Sequence, residues 1–186
     1  MKIEGLLIQK GSFNPLHRMH KRIADDAIAH YPDYPHTMCL SIKTCDKGEN
    51  TPEEIMRRSK LINEAGYQAT YDDTGLFIDT IKEVRSVMPK AKIVFPVGED
   101  TLYRFIRDWD RYYTEKHPDE YLRRFTDYEK EFDNVEWYVS KRDCPEKEQF
   151  GERVRDYTHY YSNIVWSGLD LDDISSSKIR AGVPNE

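Results

Sequence analysis

The sequence has few cysteines, no surplus of positive charge and no long apolar run, and each absence removes a class of protein. Its 186 residues contain three cysteines, Cys39, Cys45 and Cys144. An odd count without paired spacing makes no disulfide framework and fits a chain with reduced thiols. The 28 basic and 34 acidic side chains give a formal charge of −6. Coating a nucleic acid needs a basic surface that neutralises many phosphates, so no nucleic-acid partner is expected, although local basic pockets are compatible with this balance. The first apolar run, Ile3–Ile8, is far shorter than the ~20 residues of a membrane-spanning helix, and no small-residue cleavage site follows it. No membrane partner is expected, and a cytoplasmic location is. No repeat or linker divides the chain, so residues 1–186 read as one domain.

What is present suits an α/β protein. Hydrophobic residues make up 38% and aromatics 12%, enough for one core at this length and more than a disordered chain carries. Ile3–Ile8, Thr37–Ile42, Ala91–Val97, Val135–Ser140 and Asn163–Trp166 read as short buried strands. Helical periodicity runs from about Leu16 to Ala29, with Pro32 and Pro35 beyond it. A second helix opens at Thr51 as N-cap with Pro52 at the first helical position and Glu54 at the capping-box position, and Gly66 closes it. Phe77–Val87 and Glu99–Arg107 read as further helices, and Ser175 opens the last. Strands alternating with helices predict an open, mostly parallel Rossmann-like sheet covered on both faces. The charged, Tyr-rich stretch at about 108–155 is the least legible. Within it, Tyr112 to Tyr128 suits either an interface in a homo-oligomer or a lid over a site.

Two segments carry the chemistry. Gly11-Ser12-Phe13-Asn14-Pro15-Leu16-His17-Arg18-Met19-His20 joins the first strand to the first helix. Ligands of open parallel sheets sit at the carboxyl ends of the strands, and a helix N-terminus attracts phosphate through unpaired N–H groups and its partial positive charge. Gly11 is expected to let the backbone turn tightly and approach a ligand. His17 and His20, three apart, share a side of the first helical turn and suit donation to charge that builds in a transition state. Spacing alone leaves a second reading, a strand turning into a helix that happens to hold two histidines. A zinc site is disfavoured, because neither HExxH nor a cysteine cluster accompanies the pair. The second segment, Ile174-Ser175-Ser176-Ser177-Lys178-Ile179-Arg180, places serine hydroxyls at a helix start, with Arg180 in reach of the same anion. Alone, it is also an ordinary Ser-rich cap.

Taken together, GSFNPLHRMH and ISSSKIR resemble the two signature motifs of the HIGH-type nucleotidyltransferases, and their order and positions match across nearly the whole chain. The features Asn14 and Met19, in place of the commoner Asp and Gly, are shared with pyridine-nucleotide adenylyltransferases. The region Val97–Tyr113 resembles cytidylyltransferase-like proteins about as well. The resemblance implies transfer of AMP from ATP to a small phosphorylated acceptor, foremost nicotinamide or nicotinate mononucleotide, with Mg2+ accompanying the ATP and no dedicated protein metal site. It implies His17, His20 and Arg180 as catalytic residues, and Gly11, Ser12, Phe13, Gly98, Asp100, Ser175, Ser176 and Ser177 as ATP-binding residues. Lys47, Arg57 (or Arg58) and Phe77 fall where that branch contacts its acceptor. Without the resemblance, Phe77 reads as a core residue and the basic residues as solvated surface. Another nucleotidyltransferase of the same fold, using CTP or a different acceptor such as phosphopantetheine, and a regulator that binds nucleotide without catalysis, are the alternatives. An aminoacyl-tRNA synthetase is disfavoured by the short, acidic chain.

Overall fold

The computed structural model describes residues 3–44, 48–73, 75–116, 123–143, 163–171, 179 and 181–182. In chain order the elements are β1 (Gly5–Gly11), α1 (Arg18–His30), β2 (His36–Ser41), β3 (Lys43–Thr44), β4 (Gly48–Glu49), α2 (Pro52–Glu64), β5 (Ala69–Asp72), α3 (Phe77–Val87), β6 (Lys92–Gly98), α4 (Glu99–Lys116), α5 (Arg123–Glu131), β7 (Val135–Arg142) and β8 (Ile164–Leu171). Six strands form one sheet in the order β5-β2-β1-β6-β7-β8, and every neighbouring pair in it is parallel. β3 and β4 pair separately as a short antiparallel ladder.

Local chemistry accounts for the helices. In α2 the Thr51 hydroxyl accepts the Glu54 N–H at 3.3 Å and Pro52 stands at the first position. Gly66 follows it with φ +90°, a conformation that glycine takes without the Cβ penalty. The Glu54 carboxylate does not close a capping box. It binds Arg57 and Arg58 instead.

Helices cover both faces of the sheet. On one face Ile81 of α3, Leu102, Ile106 and Trp109 of α4, and Phe132 pack on Phe95 and Trp137. On the other, α1 and α2 bring Ala24, Ile55 and Ile62 against Met38 and Leu40. Tyr128 lies within the first of these cores. Its ring stacks on Phe132 at 4.4 Å and its hydroxyl accepts the Trp137 indole N–H at 2.8 Å, so Tyr128, at the end of the Tyr-rich stretch, is a core residue. Among the described residues no helix is long and apolar enough to cross a membrane.

Candidate active site

The strand order reverses between β1 and β6, and the crevice beyond their carboxyl ends is where an open α/β sheet binds ligands. The loop leaving β1 into α1 occupies it. The left-handed residue of that loop is Phe13, at φ 43°, whereas the sequence assigned the tight turn to Gly11. Holding a bulky residue there costs on the order of 1–3 kcal/mol, which burial of the ring offsets: Phe13 is only 1% exposed and packs among Met38, Leu40 and Ile55. A Cβ at Gly11 would lie 3.1 Å from that ring, so in this state the missing side chain makes room for Phe13.

Charged side chains of α2 brace the loop. Arg58, 5% exposed, donates to the Ser12 carbonyl at 3.0 Å and to Glu54 at 2.9 Å. Arg57 reaches the Asn14 side-chain oxygen at 3.3 Å while forking onto both oxygens of Glu54 at 2.8 and 2.9 Å. From below, the Gln9 amide donates to the His20 carbonyl at 3.0 Å, tying the first turn of α1 to β1.

His17 is the N-cap of α1 and His20 stands one turn in. Their rings stack with centroids 3.7 Å apart and planes 25° from parallel. Phe13 meets His20 edge-on at 4.9 Å. The His17 backbone N–H donates to Nδ1 of His20 at 3.4 Å. A neutral imidazole has one donor and one acceptor nitrogen, so this bond leaves the proton of His20 on Nε2. Burial, then the nearby Arg142 cation, lowers the His17 pKa to about 4, against a smaller opposing pull from Asp100. Burial, His17 and Arg142 hold His20 well below its ordinary value. Both rings are therefore neutral at pH 7, and each keeps one N–H that can donate without a formal charge. The first turn of α1 holds no acidic residue that would oppose an anion at its N-terminus.

β6 and β7 bring the other half. Gly98 ends β6 and Asp100 stands in the first turn of α4. A Cβ at Gly98 would lie 2.7 Å from the Asp100 carboxylate, so glycine lets that carboxylate fold back over the strand end. Asp100 pairs with Arg142 at 3.4 Å and Arg104 at 3.6 Å. Glu99 accepts the Arg142 backbone N–H at 2.9 Å and the Tyr103 hydroxyl at 2.6 Å. Sequence reasoning missed Arg142 because it ended this strand at Ser140. The signal was Lys141-Arg142, a basic pair at the carboxyl end of a parallel strand.

Not every expected residue joins this cluster. Phe77 sits edge-on to Phe95 at 4.9 Å and to Trp137 at 4.8 Å, with the Lys10 ammonium 5.6 Å over its ring. Lys10, also unassigned by the sequence, is bound by Asp72 and by Thr80, the latter at 2.5 Å, with both partners of the ion pair 4% exposed. Lys47, Ser175, Ser176, Ser177 and Arg180 lie outside the described residues. Ile179 is the one residue of the second motif among the described residues, and it packs with Leu171 against Met19 and Ile23 of α1, the helix that carries the first motif.

A parallel sheet with a phosphate-suited helix start at its switch point defines a nucleotide-binding α/β protein. The chain belongs to the cytidylyltransferase-like family, whose model matches residues 8–182; by family and fold it is a nucleotidyltransferase. Among solved structures it is similar to Plasmodium falciparum nicotinic acid mononucleotide adenylyltransferase complexed with NaAD, at 14% identity and TM-score 0.60, over 96% of this chain and 83% of that one. The same enzyme complexed with APC gives 14% identity and TM-score 0.58 over the same shares of the two chains. At that identity the likeness speaks for the fold. No curated protein matches the sequence.

Proposed function

We propose that this protein transfers AMP from ATP to a small phosphorylated acceptor, foremost nicotinamide or nicotinate mononucleotide, releasing pyrophosphate. The observation that carries the reading is the neutral His17–His20 stack at the N-terminus of α1, with Asp100 across the switch point. The acceptor's phosphate oxygen forms a bond to the α-phosphorus as the bond from that phosphorus to the bridging oxygen breaks, and the electron pair leaves with pyrophosphate. A phosphate monoester is already ionised at neutral pH, so no general base is required, and catalysis rests on positioning and on donors aimed at developing charge.

In this reading the backbone of Ser12 and Phe13 faces the phosphates, and Gly98 and Asp100 receive the ribose. His17 holds the triphosphate, and Nε2–H of His20 donates to charge on the reacting phosphate. Ser175, Ser176, Ser177 and Arg180 grip the β- and γ-phosphates. Arg57 is the acceptor-side cation that the loop geometry favours, since it already reaches Asn14, and Lys47 and Phe77 complete that side on the resemblance alone. In this reading Mg2+ arrives with ATP rather than on a dedicated protein site. When bound, it would neutralise phosphate charge with few direct protein ligands.

Pyrophosphate release tests the reading, with ATP or CTP against nicotinamide mononucleotide, nicotinate mononucleotide, phosphopantetheine and glycerol phosphate. Release confined to ATP with a pyridine mononucleotide is expected. Release with CTP would replace the base assignment, and silence across the grid with intact ATP binding would replace catalysis by nucleotide sensing.

A further inference from the structure

Alternate residues of a strand share a face, so Gln9 points to the same side of β1 as Leu7. Leu7 is buried there with Ala27 of α1, Val94 and Tyr138, and Gln9 is only 3% exposed. Position 9 is thus an interior position that an apolar side chain would fill. The amide nitrogen of Gln9 donates to the His20 carbonyl at 3.0 Å, while its oxygen is buried and meets no hydrogen-bond partner among the described residues. A buried amide with one polar atom unsatisfied costs stability, whereas an apolar group of the same shape in its place is close to neutral. Stability alone therefore does not account for a glutamine here. What its amide holds is the first turn of α1. Helix ends fray, and the N-cap of α1 is His17, where Ser, Thr, Asp or Asn would give a stronger cap. The plane of the His20 ring is set by the His17 N–H, the stack on His17 and the edge of Phe13. Its position is set by the main chain that carries it, and Gln9 ties that main chain to β1, a strand paired on both sides.

We propose that Gln9 is a positioning residue of this site: its amide fixes the backbone of His20, and through it the place of the Nε2–H donor. The inference rests on the nucleotidyl transfer proposed above, with His20 as its donor, but on neither the base nor the acceptor. Its physical logic is the steep distance dependence of such catalysis. A donor serves developing charge only within about 2.7–3.1 Å of it, and a misplacement of about 1 Å can cost roughly 100-fold in rate. Gln9 is neutral and acts from beneath the turn, so its loss changes no charge in the crevice, and its whole effect on the chemistry passes through His20.

The test compares Gln9→Met, which keeps length and neutrality and removes the donor, in the parent and in the His20→Ala background. Pyrophosphate release by the whole protein is followed with the nucleotide and acceptor that support turnover, beside urea denaturation. In the parent background, Gln9→Met is expected to lower kcat about ten- to hundredfold. The KM for ATP is expected to stay within about twofold, and the denaturation midpoint at or above that of the parent. In the His20→Ala background the same substitution is expected to change kcat by less than about twofold, because the donor it positions is already gone. A kcat of Gln9→Met within about twofold of the parent would overturn the role. A loss as large in the His20→Ala background as in the parent would also overturn it, since the amide would then act other than through His20. A Gln9→Met protein that does not fold would do the same by making the amide a requirement of stability. Failure of the transfer reading shows differently, as a parent that releases no pyrophosphate with any nucleotide and acceptor, and it removes this role with it.

Discussion

The backbone N–H of His17 donates to Nδ1 of His20 across 3.4 Å, and this one bond decides which nitrogen of His20 carries the proton. With Nδ1 occupied as an acceptor, Nε2–H is the donor. The 3.7 Å stack on His17 and the edge of Phe13 then fix the plane of the ring. Removing the imidazole removes one preorganised donor. His20→Ala is expected to lower kcat roughly 100- to 1000-fold while circular dichroism shows an intact fold. Near-normal turnover would take His20 out of the chemistry.

Acidity is expected to destabilise the protein below neutral pH. His17 and His36 are lowered to about 4, chiefly by burial, and His20 is lowered as well. The unfolded chain protonates its histidines near pH 6.5, so between there and pH 4 it binds more protons than the native state. Stability therefore rises with pH across that window, is fully present above 6.5, and is lost as pH falls through 4. Urea denaturation at half-unit steps from pH 7 to 4 measures the slope, and His36→Gln should flatten it. A stability independent of pH in that range would contradict burial of neutral imidazoles.

Met19→Ala is expected to cost about 2–5 kcal/mol, the range for truncating a buried Met, because Met19 is 1% exposed and packs with Leu171 and Ile179. ATP affinity should fall with stability, since Ile179 belongs to the second phosphate motif. Lost stability with unchanged ATP affinity would make the contact a structural one only.

Lys10 and Asp72 are expected to show strong coupling. Each is 4% exposed, and removing one partner strands a buried charge at a cost of about 3–5 kcal/mol. Lys10→Met and Asp72→Leu should each destabilise severely, and the double variant should be closer to the parent than either. A double-mutant cycle on denaturation midpoints reads this directly, with additive losses as the contrary result.

Arg180→Ala is expected to raise the ATP dissociation constant with a smaller effect on kcat at saturation. ATP titration checks it, and unaltered affinity would remove Arg180 from the site.

Much of the fold was legible because its signals are local. The proline and threonine that open α2, Gly66 that closes it, and the apolar runs that became β1, β2, β6 and β7 act through neighbouring residues and need no partner to be read. β5 was missed because Ala69–Asp72 is a four-residue edge strand without an apolar run, and its conformation comes from pairing with β2. β8 extends to Leu171, five residues beyond the expected Trp166, through pairing with β7 that continues past a register shift. The phosphate-suited loop and the two histidines belong to the same local class, since a spacing of three on one helical turn suffices to place them together.

Relations across the sheet were decided by tertiary structure alone. Nothing in their spacing tells that Arg142 meets Asp100, 42 residues away, or that Lys10 is buried against Asp72, 62 residues away. The parallel sheet sets these pairs by aligning the carboxyl ends of β1, β2, β5, β6 and β7 at one edge. Sequence alone therefore determined the class of chemistry, and the packing of the strands determined which charges at that edge face each other.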